Sequence, residues 1–159
     1  AGSRRPWGAP EARTRPGACG ALRVRDGEAV TMTASSRNSV NYQRFGELVE
    51  RANPTGDIWV IIDNLSSHHG VSTRAWLADR PRIKHAFIPV GACWLNLQEA
   101  WWRIFRREAL AGQTFADAAE IAQATVHATA ALNRRARPWI WGRPPPLPRH
   151  RRRRFVYCL

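Results

Sequence analysis

Lysine is nearly missing from this chain: Lys84 is the only one. Acids are also scarce, with 12 Asp and Glu against 25 Lys and Arg, for a net charge of +13. Cysteine is limited to Cys19, Cys93 and Cys158, odd in number and without CxxC or Cys/His spacing. That argues against a disulfide framework and a zinc ribbon, and fits a reduced, cytosolic setting. No apolar run approaches the roughly 18 residues needed to cross a bilayer. The first residues are rich in Arg and Pro with no apolar h-region, unlike a signal peptide.

What remains is a strongly cationic, Arg-based chain. Such a charge is the footprint of a polyanion partner, most often nucleic acid, and Arg forks onto phosphate with two donors. A generic basic surface is the plainer reading, and GC-rich codon usage accounts for most of the Arg-for-Lys bias. The length of 159 residues and a 44% hydrophobic share suit one folded domain.

Residues 1–17 mix Gly, Pro and Arg without period and read as an extended basic arm. "ALRVRDGEAVTMTA" gives two β-prone runs around Asp26-Gly27, a hairpin signal. Tyr42, Phe45, Leu48, Val49 and Ala52 fall at helical spacing, and Asn53-Pro54 stops the helix. Ile58 to Ile62 is apolar on both faces and predicts a buried, central strand. A short helix, "STRAWLADRPR", and a strand, "IKHAFIPV", ended by Pro89, come next.

"WLNLQEAWWRIFRREAL" is the clearest helix, with Leu97, Trp101, Ile104 and Phe105 on one stripe and Glu99, Arg103 and Arg106 on another. An Ala-rich helix follows, offering Phe115, Ala122, Val126 and Leu132 for packing. Residues 142–159 form a Pro/Arg-rich tail containing Arg151 to Arg154. A hairpin followed by alternating strands and helices predicts an α/β fold, a mixed sheet with flanking helices.

Two acids stand out. Asp63 ends an apolar strand, where catalytic groups of such sheets gather, and Glu99 lies in the first turn of a helix. Two convergent carboxylates can hold Mg²⁺ through hard oxygen ligands. Plainer readings exist for both. Asp63-Asn64 can simply turn the chain. Asn96 and Glu99 occupy the N-cap and N3 positions of a helix start, and Glu99 can pair with Arg103.

The run from Val60 to Phe115 resembles the second half of the catalytic domain of bacterial insertion-sequence transposases of the mariner superfamily. These are DDE endonucleases with a ribonuclease H-like fold. The likeness rests on Asp63-Asn64 after an apolar strand, His68, Ala75-Trp76-Leu77, Pro89, Trp94-Leu95-Asn96 and Glu99, in order and at fitting spacings. "GQTFADAAEI" and "LNRRARPWIW" resemble the close of the same domain, so the likeness spans roughly residues 21–141.

The resemblance implies that Asp63 and Glu99 are the second and third acids of a triad, binding Mg²⁺ or Mn²⁺. Asn64, His68 and Asn96 would stand around them or near DNA, although His68 also reads as a solvated loop histidine. His69 fits no part of the pattern and reads as exposed. Trp94, Trp101 and Trp102 read as packing residues rather than base-stacking platforms. Arg103, Arg106 and Arg107 would follow a DNA backbone, or simply form a solvated helix face. The implied reaction is hydrolysis at DNA 3′ ends, followed by attack of the freed 3′-hydroxyl on target DNA. The implied partners are transposon ends, target DNA and a second subunit, in a bacterial, nucleoid-associated cytoplasmic setting with no membrane.

The family's first acid lies on a first strand upstream of the hairpin. Glu11 is the sole acid before Ala21, and it sits between Pro10 and Pro16 in a stretch without β character. The N-terminal helix-turn-helix modules of the family are also absent. The expectation is therefore a truncated catalytic domain lacking its first strand, marginally stable or aggregation-prone by itself. A catalytically inactive, basic nucleic-acid-binding remnant is the alternative, and a ribonuclease H-like nuclease acting on RNA or hybrids is a third.

Overall fold

The computed structural model describes residues 17–92 and 96–139. The basic arm up to Pro16, Cys93 to Leu95 and the Pro/Arg-rich tail with Arg151–Arg154 lie outside the described residues. β1 (Gly17–Leu22) and β2 (Ala29–Ala34) form an antiparallel hairpin, with Cys19 opposite Met32 and Leu22 opposite Ala29. The connection runs through Gly27 at φ 79°, the left-handed region where a side chain is strained. A Cβ there would also strike the Arg137 carbonyl.

β1 starts four residues before the hairpin start expected at Ala21, through "GACG", a stretch with little intrinsic β preference. Packing explains it: a Cβ on Gly20 would lie 2.6 Å from the Trp102 ring and 2.8 Å from Gln98 Nε2. The missing side chain lets a helix approach the strand closely.

α1 (Ser39–Ala52) is capped by Asn38, whose side chain accepts from the Asn41 N–H, and it stops at Asn53 before Pro54, as its spacing predicts. β3 (Ile58–Ile62) then pairs in parallel with β4 (Ile83–Phe87), Val60 opposite His85. Two short helices cross between them, α2 (Ser66–His69) and α3 (Val71–Ala78). α4 (Leu97–Ala109) is capped by Asn96, and α5 (Ala118–Asn133) by Asp117, which accepts from the N–H groups of Ala119 and Glu120.

The α/β class expected from the sequence is what the structure shows, with one departure. Among the described residues the strands form two two-stranded sheets, β1–β2 and β3–β4, rather than one mixed sheet. β3 is therefore not buried on both faces: Trp59 is 66% and Ile61 45% exposed. An apolar strand reads as central because burial on two faces is the usual reason for such a run, but here β3 pairs only with β4.

The main core lies between the hairpin, α4 and α5. Trp101 and Phe105 are 3% and 2% exposed, stacked with ring centroids 5.2 Å apart, and packed with Ala29, Ala109 and Leu132. α5 presents a different face from the one expected. Val126 is 63% exposed, while Thr125, Thr129 and Leu132 are buried. The threonines tolerate burial because their hydroxyls donate to the Ile121 and Thr125 carbonyls at 2.7 and 2.8 Å. Thr129 also shares a 2.7 Å hydrogen bond with Thr31 of β2. Phe45 of α1, Ile83 of β4 and Ile88 just past β4 are also buried.

Candidate active site at the end of the parallel strands

β3 and β4 run parallel, so their C-terminal ends emerge side by side. Asp63 follows Ile62 directly, and its side chain points into solvent at the strand end, 55% exposed. Asp63 Oδ1 accepts the Leu65 N–H at 3.3 Å and meets His68 Nδ1 at 3.0 Å. The same His68 nitrogen is 3.1 Å from the Asp63 carbonyl. His68 is thus held against Asp63 rather than solvated in a loop, because the one-turn helix α2 brings it back over the strand end.

Asn64 ties the two strand ends together, its Nδ2 donating to the Ile88 carbonyl at 2.8 Å. His69 is exposed, as its sequence context suggests, with Nε2 3.3 Å from the Asn64 carbonyl.

Behind Asp63 lies a polar row that the sequence did not announce. Tyr42 of α1 packs on the His68 ring with centroids 4.6 Å apart, and its hydroxyl is 3.0 Å from His85 Nε2. Burial, then the charge of Asp63, then Cys19, push the Tyr42 hydroxyl far above the ordinary tyrosine value, so it stays protonated. Burial, and next the neighbouring His68, hold His85 below the ordinary histidine value. Tyr42 was legible only as a core position of α1. His85 was a possible signal, a polar residue in an apolar strand.

The start of α4 lines the same cavity as the strand end. Asp63, His68, Asn96 and Gln98 all line one cavity of about 860 Å³. Asn96 is the N-cap, its Oδ1 accepting the Gln98 N–H at 3.1 Å, so its local role is the plainer one weighed from the sequence. Glu99 stands at N3 on the exposed side and is not part of the cavity lining. Among the described residues no ion pair joins Glu99 to Arg103, and no set of three or more His, Cys, Asp or Glu side chains gathers to hold a metal. Trp101 is core and Trp102 packs against β1, whereas Trp94 lies outside the described residues.

Arg103, Arg106 and Arg107 are all exposed along α4. Arg106 donates to the Trp102 carbonyl at 3.3 Å, and Arg107 lies 3.9 Å from Glu108. These are loose restraints, and the guanidinium groups face water.

Over residues 1–122 the sequence matches the family described as DDE superfamily endonuclease. The chain belongs to that family. The five helices and small sheets among the described residues are consistent with a ribonuclease H-like DDE domain. The match supports a transposase-like nuclease with DNA as its partner, and such endonucleases generally use divalent metal ions. No curated protein matches the chain. Among the described residues no helix is long and apolar enough to cross a membrane.

The donor chemistry can be tested against a divalent cation. Asp63 Oδ1 is occupied by the Leu65 N–H and His68, while Oδ2 has no protein partner among the described residues. Glu99 is exposed and likewise unpaired among them. Carboxylate oxygens are hard donors of the kind Mg²⁺ and Mn²⁺ prefer, but of the two acids only Asp63 lines the cavity, and Glu99 stands outside it.

Proposed function

We propose that the chain is the catalytic part of a DNA transposase, of the mariner-like insertion-sequence type, that cleaves DNA and transfers the freed 3′ end. The observation that carries this reading is Asp63, presented off the end of β3 with one oxygen fixed by His68 and Leu65 and the other unpaired among the described residues. In this reading Asp63 and Glu99 hold the metal. A bound Mg²⁺ or Mn²⁺ supplies charge to neutralise the phosphate that is attacked. His68 orients Asp63, and Tyr42 keeps the His68 ring in place. Asn64 fixes the strand ends, and Asn96 starts the helix that carries Glu99.

Arg103, Arg106 and Arg107 follow the DNA backbone past the site. On this reading the first carboxylate of the triad has no counterpart among the described residues. The assembled enzyme acts as a dimer on transposon ends and target DNA, in the bacterial cytoplasm beside the nucleoid. Residues 18–141 form the partial catalytic domain, with residues 1–17 and 142–159 as arm and tail, save that Gly17 already belongs to β1.

A second reading is favoured by one observation, the lack of a three-carboxylate cluster among the described residues. On that reading the chain is an inactive, basic nucleic-acid-binding remnant. Nicking of supercoiled DNA in Mg²⁺ or Mn²⁺ separates the two. Transposase chemistry requires nicking that drops at least a hundredfold in both Asp63→Asn and Glu99→Gln, with His68→Ala about 10–100-fold down. Undiminished nicking in both carboxylate variants ends the assignment. A chain that never nicks, yet binds DNA in a salt-sensitive way that Asp63→Asn leaves alone, is the remnant.

A further inference from the structure

α2 is a single turn, and one helical turn does not hold itself together in water. Its N-cap is Leu65, with no side-chain cap for the free N–H groups. Yet this turn carries His68, whose Nδ1 lies 3.0 Å from Asp63 Oδ1. Groups outside α2 must therefore fix it. Thr73 of α3, fully buried, donates to the Ser67 carbonyl at 2.7 Å. That bond ties down the backbone beside His68 and leaves the imidazole to be held by something else.

The His68 ring meets Tyr42, and Tyr42 meets His85. Ile83, His85 and Phe87 share one face of β4, with Val60 of β3 opposite His85. Tyr42 of α1 reaches that face, its hydroxyl 3.0 Å from His85 Nε2. The Tyr42 ring centroid is 5.8 Å from that of His85 and 4.6 Å from that of His68. Phe87 closes another side of the His85 ring, edge-on at 5.7 Å. His85 is thus boxed in by α1, α2 and its own strand.

The protons can be placed by asking what each atom faces. His68 Nδ1 faces two acceptors, Asp63 Oδ1 and, at 3.1 Å, the Asp63 carbonyl, so it carries hydrogen. Tyr42 keeps its proton, since burial, then Asp63, then Cys19, raise its pKa far above the ordinary value. His85 is kept neutral by burial and then by His68, so it has one N–H for two ring nitrogens. The His68 backbone acts on His85 as a hydrogen-bond acceptor. One arrangement meets all of these needs. His85 gives Nδ1–H to the His68 backbone, and its bare Nε2 takes the Tyr42 proton. The opposite tautomer leaves the Tyr42 proton without an acceptor among the described residues.

We propose that His85 is the positioning residue that fixes His68 on Asp63. It accepts the Tyr42 hydroxyl on Nε2 and holds the His68 backbone through Nδ1–H, and so locks the imidazole that orients the carboxylate. Without His85 the Tyr42 hydroxyl loses its anchor, the His68 ring is free to turn, and Asp63 Oδ1 loses a partner. The consequence for cleavage rests on the nuclease reading, whereas the hold on His68 does not. His85 touches neither DNA nor metal, so its loss slows the chemical step and leaves DNA binding alone.

The experiment joins two readouts on the whole chain. Proton–nitrogen correlation spectra of the histidine rings, at about pH 8 where His85 is neutral, report the tautomers. His85 is expected as the Nδ1–H form, which free histidine in water favours less, and His68 as Nδ1–H too. Tyr42→Phe removes only the hydroxyl, and is expected to turn His85 and His68 into mixtures of tautomers. His85→Leu is expected to do the same to His68, and His85→Gln, whose amide can both accept and donate, to restore it. Nicking of supercoiled DNA in Mn²⁺ is the second readout. Tyr42→Phe and His85→Leu are each expected to lower kcat about tenfold with KM for DNA unchanged, and His85→Gln to recover most of it. The double variant Tyr42→Phe/His85→Leu is expected to be no slower than either single one, because both act through one contact.

His85 found as the Nε2–H form overturns the proposal, and so does a His68 spectrum that neither variant moves. Losses that multiply in the double variant, or that appear as a raised KM, overturn it as well. If His85→Leu does not fold, Tyr42→Phe decides by itself. A parent chain that nicks no DNA sinks the nuclease reading, and the ring spectra then decide the hold on His68.

Discussion

Asn133, the last residue of α5, clamps the hairpin from 104 positions away. Its Oδ1 accepts the Ala29 N–H at 2.8 Å and its Nδ2 donates to the Ala29 carbonyl at 2.9 Å. Ala29 is 4% exposed, and both of its backbone groups point away from β1, so no ladder bond replaces the clamp. Asn133→Ala removes two hydrogen bonds and leaves a donor and an acceptor of Ala29 unmet, at about 1–2 kcal/mol each, the lower part of the usual range because both bonds are only part-buried. The expected loss is about 2–4 kcal/mol, against a total stability of roughly 0.05–0.15 kcal/mol per residue.

In urea, with a slope of about 2 kcal/mol/M, the unfolding midpoint should fall by about 1–2 M, followed by tryptophan fluorescence. Asn133→Asp separates the two bonds. It still accepts from the Ala29 N–H but sets oxygen against the Ala29 carbonyl, so it should not restore stability. Asn41→Ala is the control. It removes an exposed 2.9 Å bond to the Ser36 carbonyl and should cost under about 1 kcal/mol. An Asn133→Ala midpoint within about 0.3 M of the parent, or an aspartate variant as stable as the parent, would refute the clamp.

Phe105→Ala should cost about 3–5 kcal/mol in the same assay, since the ring is buried against Trp101 and Trp102, while Val126→Ala on the exposed face of α5 should stay within about 0.5 kcal/mol. His85 gives a pH test. Its folded pKa is depressed, so the unfolded chain takes up the proton first, and the stability it confers is whole above about pH 6.5 and lost as pH falls through the folded value. His85→Gln should flatten the fall in urea midpoint below pH 6.5, and an unchanged slope would remove His85 from that role. If the α4 arginines carry DNA, replacing Arg103, Arg106 and Arg107 with glutamine should reduce the slope of log affinity against log salt by about 2.7, measured by fluorescence anisotropy. An unchanged slope would leave them as a solvated face.

Local signals read well wherever local forces decide. Asn53 ends α1, Asn96 starts α4, and the stripe of Trp101, Ile104 and Phe105 turns inward because a 3.6-residue period leaves one apolar face. α5 was harder, because alanine-rich periodicity is weak and the buried threonines hide their hydroxyls in the helix backbone. α2 escaped notice because it is a single turn, yet that turn sets His68 on Asp63.

The sequence by itself determined the cationic charge, the order of the strands and the longer helices, and the placing of Asp63 at a strand end and Glu99 in a first helical turn. Composition, periodicity and capping are short-range properties, readable from neighbours along the chain. Only the tertiary structure decided that His68, Tyr42 and His85 stand behind Asp63, that Asn133 holds Ala29, and that the strands divide into two sheets with a gap between them. Those outcomes depend on contacts between residues far apart in the chain, and on the need of buried backbone groups for partners that no local pattern names.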